Sequence, residues 1–395
     1  MKWETRRLGD VADLNLGKML DEKKNRGEPL PYLANINVRW GEFNLADLRE
    51  MRFEDNEKER FGLKFGDIVM CEGGEPGRCA IWKEPVQAMM YQKALHRIRP
   101  YECLDSRFLF YNFLHKGRMD GFAGLFTGST IKHLPAEKLA KVEIQFPEIS
   151  IQRQIADVLS AYDELMENNR RRMELLEESA RLLYREWFVR LRFPCHKNAR
   201  LTHGLPQGWE PKTLGDICAE IRESVLPGEL EPDTPYIGLE HMPRRSISLM
   251  EWGQAEAVTS TKHRFKTGDI LFGKIRPYFH KVGIAFTDGV ASSDAIVIRP
   301  NTAALRSCVL MTVSSDHFVA VASKTAREGS KMPRADWKLM TQFEIAMPPG
   351  GLLETFSDSV TAITDQLRTL CFQNQKLRAA RDLLLPRLMS GEIAV

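Results

Sequence analysis

Apolar residues recur at helical spacing over Ile151–Phe193, a stretch without Gly or Pro and rich in Leu, Glu, Arg and Met. Those residue types favour one long helix, with Ser150 placed to cap its start and Pro194 to stop it. The apolar line runs Ile151, Ile155, Val158, Tyr162, Leu165, Asn169, Met173, Leu176, Ala180, Leu183 and Trp187. Its steps alternate four and three with one slip, which reads as a coiled-coil seam carrying a stutter. A lone helix of this length is not stable in water with its seam bare. A second segment supplies the partner. Leu352–Met389 carries Leu353, Phe356, Val360, Ile363, Leu367, Leu370, Asn374, Leu377, Arg381, Leu384 and Leu388 on one line. Pro386 falls near its end and Gly391 follows as a stop. Each seam holds one Asn, a residue that fixes register at some cost in stability.

What precedes each helix repeats at an offset of about 200 residues, and a fixed offset marks an internal duplication. Leu8-Gly9-Asp10-Val11 returns as Leu214-Gly215-Asp216-Ile217, and Pro31-Tyr32-Leu33 as Pro235-Tyr236-Ile237. Gly66-Asp67-Ile68-Val69 returns as Gly268-Asp269-Ile270-Leu271, Arg99-Pro100 as Arg299-Pro300, and Gly128-Ser129 as Gly329-Ser330. Short strands are predicted at Asp67–Met70, Cys79–Trp82 and Ala94–Ile98, with counterparts at Asp269–Phe272, Gly283–Phe286 and Ala295–Ile298. Helices are predicted at Ser106–His115 and Ala304–Lys324. The expected class is α+β: two duplicated domains, each followed by a long helix, the helices forming an antiparallel coiled coil. The expected divisions are 1–150, the central helix 151–193, a linker 194–208, a second domain 209–350 and the C-terminal helix 351–395.

At 395 residues the chain is too long for one core. Its seven cysteines are scattered, with no paired Cys/His spacing for zinc, and a reducing cytoplasm is the expected setting. The opening MKWETRRLGD holds no apolar leader, and no apolar run is long enough to cross a membrane. A net charge of +3 permits nucleic-acid binding through local patches without arguing for it.

Catalytic motifs are missing: no P-loop, no dinucleotide glycine fingerprint, no HExxH, no GxSxG. No cofactor and no metal are expected. Two loops at equivalent places in the repeat stand out instead. Cys71–Arg78 is Gly-rich. It reads either as a turn whose N–H groups approach a phosphate beside Arg78, or as a tight hairpin with a solvated Arg. Gly273–Lys281 gathers Lys274, Arg276, Tyr278 and Lys281. Arg276 suits a base edge, Lys274 and Lys281 suit phosphates, and Tyr278 suits sugar or base. Supporting candidates are Gln92 and Lys93, Lys132 and His133 with their counterparts Lys331 and Arg334, and Arg244 and Arg245 opposite Arg39 and Trp40. Arg170-Arg171-Arg172 reads as a solvated helix face or a surface for a partner protein.

Together these motifs resemble the specificity (S) subunit of type I restriction-modification systems. The resemblance rests on Leu205-Pro206-Gln207-Gly208-Trp209 leading to Leu214-Gly215-Asp216-Ile217, and on the Gly-Asp-Ile motifs with the loops that follow them. The ending Leu383-Leu384-Leu385-Pro386-Arg387-Leu388-Met389-Ser390-Gly391-Glu392-Ile393 is similar too. The resemblance implies two target-recognition domains reading a split sequence in double-stranded DNA, held apart by antiparallel helices. Those helices would dock two methyltransferase (M) subunits and, through them, restriction (R) subunits. No methyl transfer or cleavage would reside in the chain itself. Because the two loops differ, the expected target is non-palindromic. A coiled-coil scaffold binding only protein is the rival reading, and it predicts no DNA affinity. An enzyme with an unrecognised site predicts turnover with S-adenosylmethionine or a divalent metal.

Overall fold

The computed structural model describes residues 3–21, 25–202, 204–325 and 332–395. The chain forms two compact units: residues 1–166 with 376–395, and residues 167–375. Each long helix contributes to both.

In the first unit a four-stranded sheet has the order Ala12–Leu16, Leu95–Pro100, Ile68–Cys71, Cys79–Ile81, with antiparallel neighbours. Ile68–Cys71 is buried throughout, so its sequence is continuously apolar. Alternate side chains nevertheless serve different cores, as the two-residue strand period requires. Ile68 and Met70 pack with the helix Ser106–Arg118 and with Ile155 and Leu159 of the central helix. Val69 and Cys71 pack toward a three-stranded sheet, Arg49–Phe53, Glu28–Leu33, Met90–Tyr91.

The second unit repeats the plan with more strands. Its main sheet runs Cys218–Ile221, Ala295–Pro300, Ile270–Gly273, Val282–Ala285, Ser248–Leu249. Ile270 and Phe272 face the helical side, and Leu271 faces a second sheet built around Lys262–Phe265 and Gly289–Ala291. The predicted helix over Ala304–Lys324 is two helices, Arg306–Val313 and Asp316–Lys324. The break falls at Ser314 and Ser315, where the Ser315 hydroxyl accepts from the Phe318 N–H and starts the second helix.

The repeated Leu-Gly-Asp motifs form equivalent joints. Leu8 and Gly9 donate backbone N–H groups to Val142 and Ala140 (2.8 and 2.9 Å), as Leu214 and Gly215 do to Phe343 and Thr341 (2.8 and 2.9 Å). A Cβ at Gly9 would lie 3.2 Å from that of Ala140, and one at Gly215 would lie 3.1 Å from that of Thr341. Any larger residue would crowd the facing segment at both joints, so close approach favours glycine there.

The central helix runs Ile149–Tyr184 and widens into a π-helical turn at Arg185–Val189. It stops short of Phe193 because Leu191 takes a left-handed conformation (φ 54°). Its start also differs from expectation: Ser150 lies inside the first turn and its hydroxyl donates to Glu148 at 3.3 Å. In the expected linker, His196–Asn198 form a short 3-10 turn, and Leu201–Thr202 pairs antiparallel with Leu205–Pro206.

The C-terminal helix spans Gly350–Met389 and packs antiparallel to the central helix within each unit. In the second unit Trp187 and Phe188 surround Phe356 (5.7 and 4.8 Å), and Asn169 donates to Asn374 at 2.9 Å. In the first, Arg381 pairs with Asp163, and Leu385 and Leu388 join the core of Ile155 and Leu159. The expected seam of the central helix is corrected at two places. Val158 and Leu165 are exposed (37% and 51%), whereas Leu159 and Met166 are buried. The inward line runs through Gln152, Ile155, Leu159, Tyr162, Met166, Asn169 and Met173, all buried except the half-buried Tyr162, alternating three and four without a slip. Gln152 is fully buried because its amide answers Asp105 N, Cys103 O and Pro147 O (2.9, 3.0 and 2.9 Å). A polar residue in the seam shifted the apparent phase.

Candidate nucleic-acid interface

In the first unit three loops meet. Glu72 N–H donates to Ala94 O and Leu134 N–H to Glu72 O, both at 2.8 Å, and Gly73 bridges to His133. Residues 72–78, 92–94 and 127–133 are thereby joined. Gly74 and Gly77 are left-handed (φ 81° and 92°), and a Cβ on Gly77 would strike the Phe122 ring at 2.9 Å. Arg78 is corrected on both readings of this loop. Only 14% of its side chain is exposed, and its guanidinium is held by Glu75 and by Asn35 O at 3.0 Å. It braces the hairpin. Lys93, Lys132 and His133 are exposed, with the Lys132 ammonium 5.9 Å over the Phe126 ring. Gln92 is half-buried.

The second unit joins the equivalent loops by equivalent bonds. Lys274 N–H donates to Asp294 O (2.9 Å), Ala335 N–H to Lys274 O (2.8 Å), and Arg276 N–H to Pro333 O (2.8 Å). Arg276 and His280 are left-handed (φ 47° and 53°) and flank a 3-10 turn at Pro277–Phe279. This puts Tyr278 outward, 57% exposed, edge-on to Phe279 at 5.0 Å. The Arg244 guanidinium lies 4.1 Å over the Phe279 ring and that of Arg276 lies 5.8 Å from it. A guanidinium held on an aromatic face loses less freedom on binding a planar base or a phosphate. Arg245 pairs with Asp316 at 2.8 Å. His280 is buried, bonds Ser314 O through Nε2 at 2.8 Å, and is held below the usual histidine range chiefly by that burial.

Lys281 is also corrected. Its ammonium donates to Leu239 O inside the domain, and burial lowers its pKa. It supports the loop from within. Lys331 lies outside the described residues. Arg334 is exposed and pairs with Asp294 at 3.3 Å. Lys274 and Arg334 share an open cleft with Arg222, Trp337 and Lys338. Those three were missed in the sequence. Trp337-Lys338 stands three residues after Arg334, so a Lys/Arg-with-aromatic reading continued past Arg334 would have found it. Arg222 reaches the cleft only through strand pairing.

Among the described residues no group of acidic, His or Cys side chains is spaced to hold a metal ion. Burial pushes the Cys218 and Cys308 thiols up to about 12, so neither is a thiolate at neutral pH. No helix among the described residues is long and apolar enough to cross a membrane.

Residues 1–178 match the family model of the type I restriction modification DNA specificity domain. The type I restriction enzyme MjaIX specificity subunit of Methanocaldococcus jannaschii is 24% identical, over 100% of this chain and 94% of its own length. The chain is similar to type I restriction-modification specificity subunits along its whole length, and its first 178 residues match the model of that family's domain. The EcoDI specificity subunit of Escherichia coli is another relative, 22% identical over 88% of this chain and 78% of its own. A crystal structure of a type I restriction-modification S subunit from M. genitalium shares the fold. Its TM-score is 0.58 at 18% identity, over 98% of this chain and 96% of that one. Within this shared fold, the joined loops of the two units differ in kind. Where the first unit has Glu72 the second has Lys274, each fixed by the same backbone bond.

Proposed function

We propose that this chain is the DNA sequence-recognition subunit of a type I restriction-modification complex. It is the non-catalytic component, reading a bipartite, non-palindromic target with one part assigned to each unit. It docks two methyltransferase subunits and, through them, restriction subunits, in the cytoplasm where the DNA lies. The observation that carries this reading is one fold used twice, with the same loop junction bearing unlike side chains. Two equal readers would favour a palindrome; two unlike readers favour a split target with different halves. A net charge of only +3 argues that phosphate contacts from this chain alone give limited affinity, so partner subunits add to it.

The test is reconstitution with the methyltransferase subunit of its own system and S-adenosylmethionine, followed by mapping of modified bases. One split motif with two different halves is expected, and no methylation from the chain alone. An assembled complex that methylates without sequence preference, or at a palindrome, overturns the reading.

A further inference from the structure

The geometry points to Glu177 of the central helix as a positioning residue for target reading by the second unit. Its carboxylate is buried and meets donors only. Ser246 and Ser248 hydroxyls donate to Oε1 at 2.7 and 2.6 Å. Ile247 N–H and the Arg181 guanidinium donate to Oε2 at 3.2 and 2.9 Å. Arg181 also donates to the Arg245 carbonyl. One turn of the helix thus grips residues 245–248 from both sides. That segment leads directly from Arg244 and Arg245, the first stacked on Phe279 and the second, left-handed at φ 56°, donating its N–H to His280 O at 2.9 Å. The chain of contacts runs from helix to Glu177 to residues 244–248 to the Arg276–His280 turn. Each link is a directed bond or a ring contact, so a shift at Glu177 moves the exposed guanidinium groups.

The chemistry favours a carboxylate. An amide keeps an acceptor for Ile247 N–H and Arg181 only by turning its NH2 to the two serine hydroxyls, which must then reorient to accept, and it loses the charge that pairs with Arg181. Burial of an ion pair is not needed to hold a helix against a sheet, since apolar contacts do that at lower desolvation cost. A buried acid with four donors instead sets direction, and what it directs is the segment bearing Arg244 and Arg245.

This inference rests on the reading of the chain as a DNA-recognition subunit. The experiment compares Glu177→Gln with Leu367→Ala, a core deletion in the same unit that removes none of the hydrogen bonds at Glu177, in the complex with methyltransferase subunits. Methylation rates are measured across all single-base variants of the target. Glu177→Gln is expected to change relative rates on the order of 10-fold at positions in the second half of the target only. Leu367→Ala is expected to lower all rates together. A Glu177→Gln profile that matches that of Leu367→Ala, or one changed in both halves, overturns the proposal. If Glu177→Gln does not assemble, Arg181→Gln carries the test. A smaller shift at the same positions supports the proposal, and an unchanged preference overturns it. Failure of the underlying reading looks different, because the wild-type complex would then show no split target.

Discussion

The carboxylate of Asp67 receives both Nε and Nη2 of Arg99 at 2.7 Å each, across neighbouring strands of the first unit. Asp269 and Arg299 repeat the pair in the second unit at 2.7 and 2.6 Å. Each Asp also caps its own turn, accepting from Lys64 N–H at 2.7 Å or Lys266 N–H at 2.8 Å. The Gly-Asp-Ile and Arg-Pro repeats are therefore two ends of one brace. The Asp side chains are almost wholly buried, and Arg99 and Arg299 are about one-third exposed.

Removing one partner of such a pair strands a charge. Asp67→Ala and Asp269→Ala should each cost about 3 kcal/mol. The loss should be local to the unit that carries the change. Hydrogen exchange read by mass spectrometry should show lost protection in 68–71 and 95–100 for Asp67→Ala, and in 270–273 and 295–300 for Asp269→Ala. Equal loss in both units from either variant would refute separate braces.

The paired helices give a second prediction. Leu367 is fully buried and Leu165 is exposed, although both were expected in seams. Leu367→Asp buries a charge without a partner and should abolish folding of the second unit. Leu165→Asp should change stability by no more than about 0.5 kcal/mol. If Leu165 belongs to the surface that docks a methyltransferase subunit, Leu165→Asp should still weaken co-purification. Thermal melts and pull-down separate the two effects.

Much of the fold was legible because period and repetition are both read from residue order. The C-terminal seam, the central helix and the sheet of Ile68–Cys71 follow from spacing alone. What sequence order hid was polar residues doing buried work. Gln152 and Glu177 lie on buried faces of the central helix, answered by donors or carbonyls from other segments, so an apolar template skipped both, and in the stretch after Gln152 it chose Val158 and Leu165. The site was legible as loops but not as roles. Arg78 and Lys281 have the same composition signal as Lys274 and Arg276, yet the first pair is spent on Asn35 O and Leu239 O. Those carbonyls come from segments tens of residues away, and nothing local announces them.

A pH dependence follows from His96 and His280. Both are buried, both bond a backbone carbonyl through Nε2 (Leu134 O and Ser314 O, 2.8 Å each), and burial is the first cause holding both below the usual histidine range. The unfolded chain then binds more protons than the folded one between the lowered values and the ordinary value near 6.5. Stability contributed by the neutral rings is complete above that ordinary value and is lost as pH falls below it. The melting temperature should therefore decline on acidification from about pH 7 toward pH 5. His96→Gln with His280→Gln keeps a donor for each carbonyl and removes the titration, so its decline should be shallower. An equal slope would show that other groups govern the acid limb.

The loop of the second unit carries the most direct test of how the chain meets DNA. Lys274 lines the cleft with Arg222, Arg334 and Lys338, a lining that also holds Glu220 and Asp336, and its ammonium has no ion-pair partner among the described residues. Lys274→Ala should weaken binding to all sequences alike and lower the salt slope by about one unit. Lys281→Ala should leave that slope unchanged, because its ammonium already serves Leu239 O, and should instead cost about 1 kcal/mol of stability. Arg276 differs from both. Its left-handed backbone aims a guanidinium that lies by the Phe279 ring, and Arg276→Ala should relax preference by about 1–3 kcal/mol at one position in the second half of the target. Arg276→Gly removes the same side chain while relieving the left-handed strain, so it should be more stable than the Ala variant by up to about 1 kcal/mol. Contact and strain then separate cleanly: Ala and Gly should share one methylation profile and differ in melting temperature. Profiles that differ between the two would show that the backbone of this turn, rather than the Arg276 side chain, sets the preference.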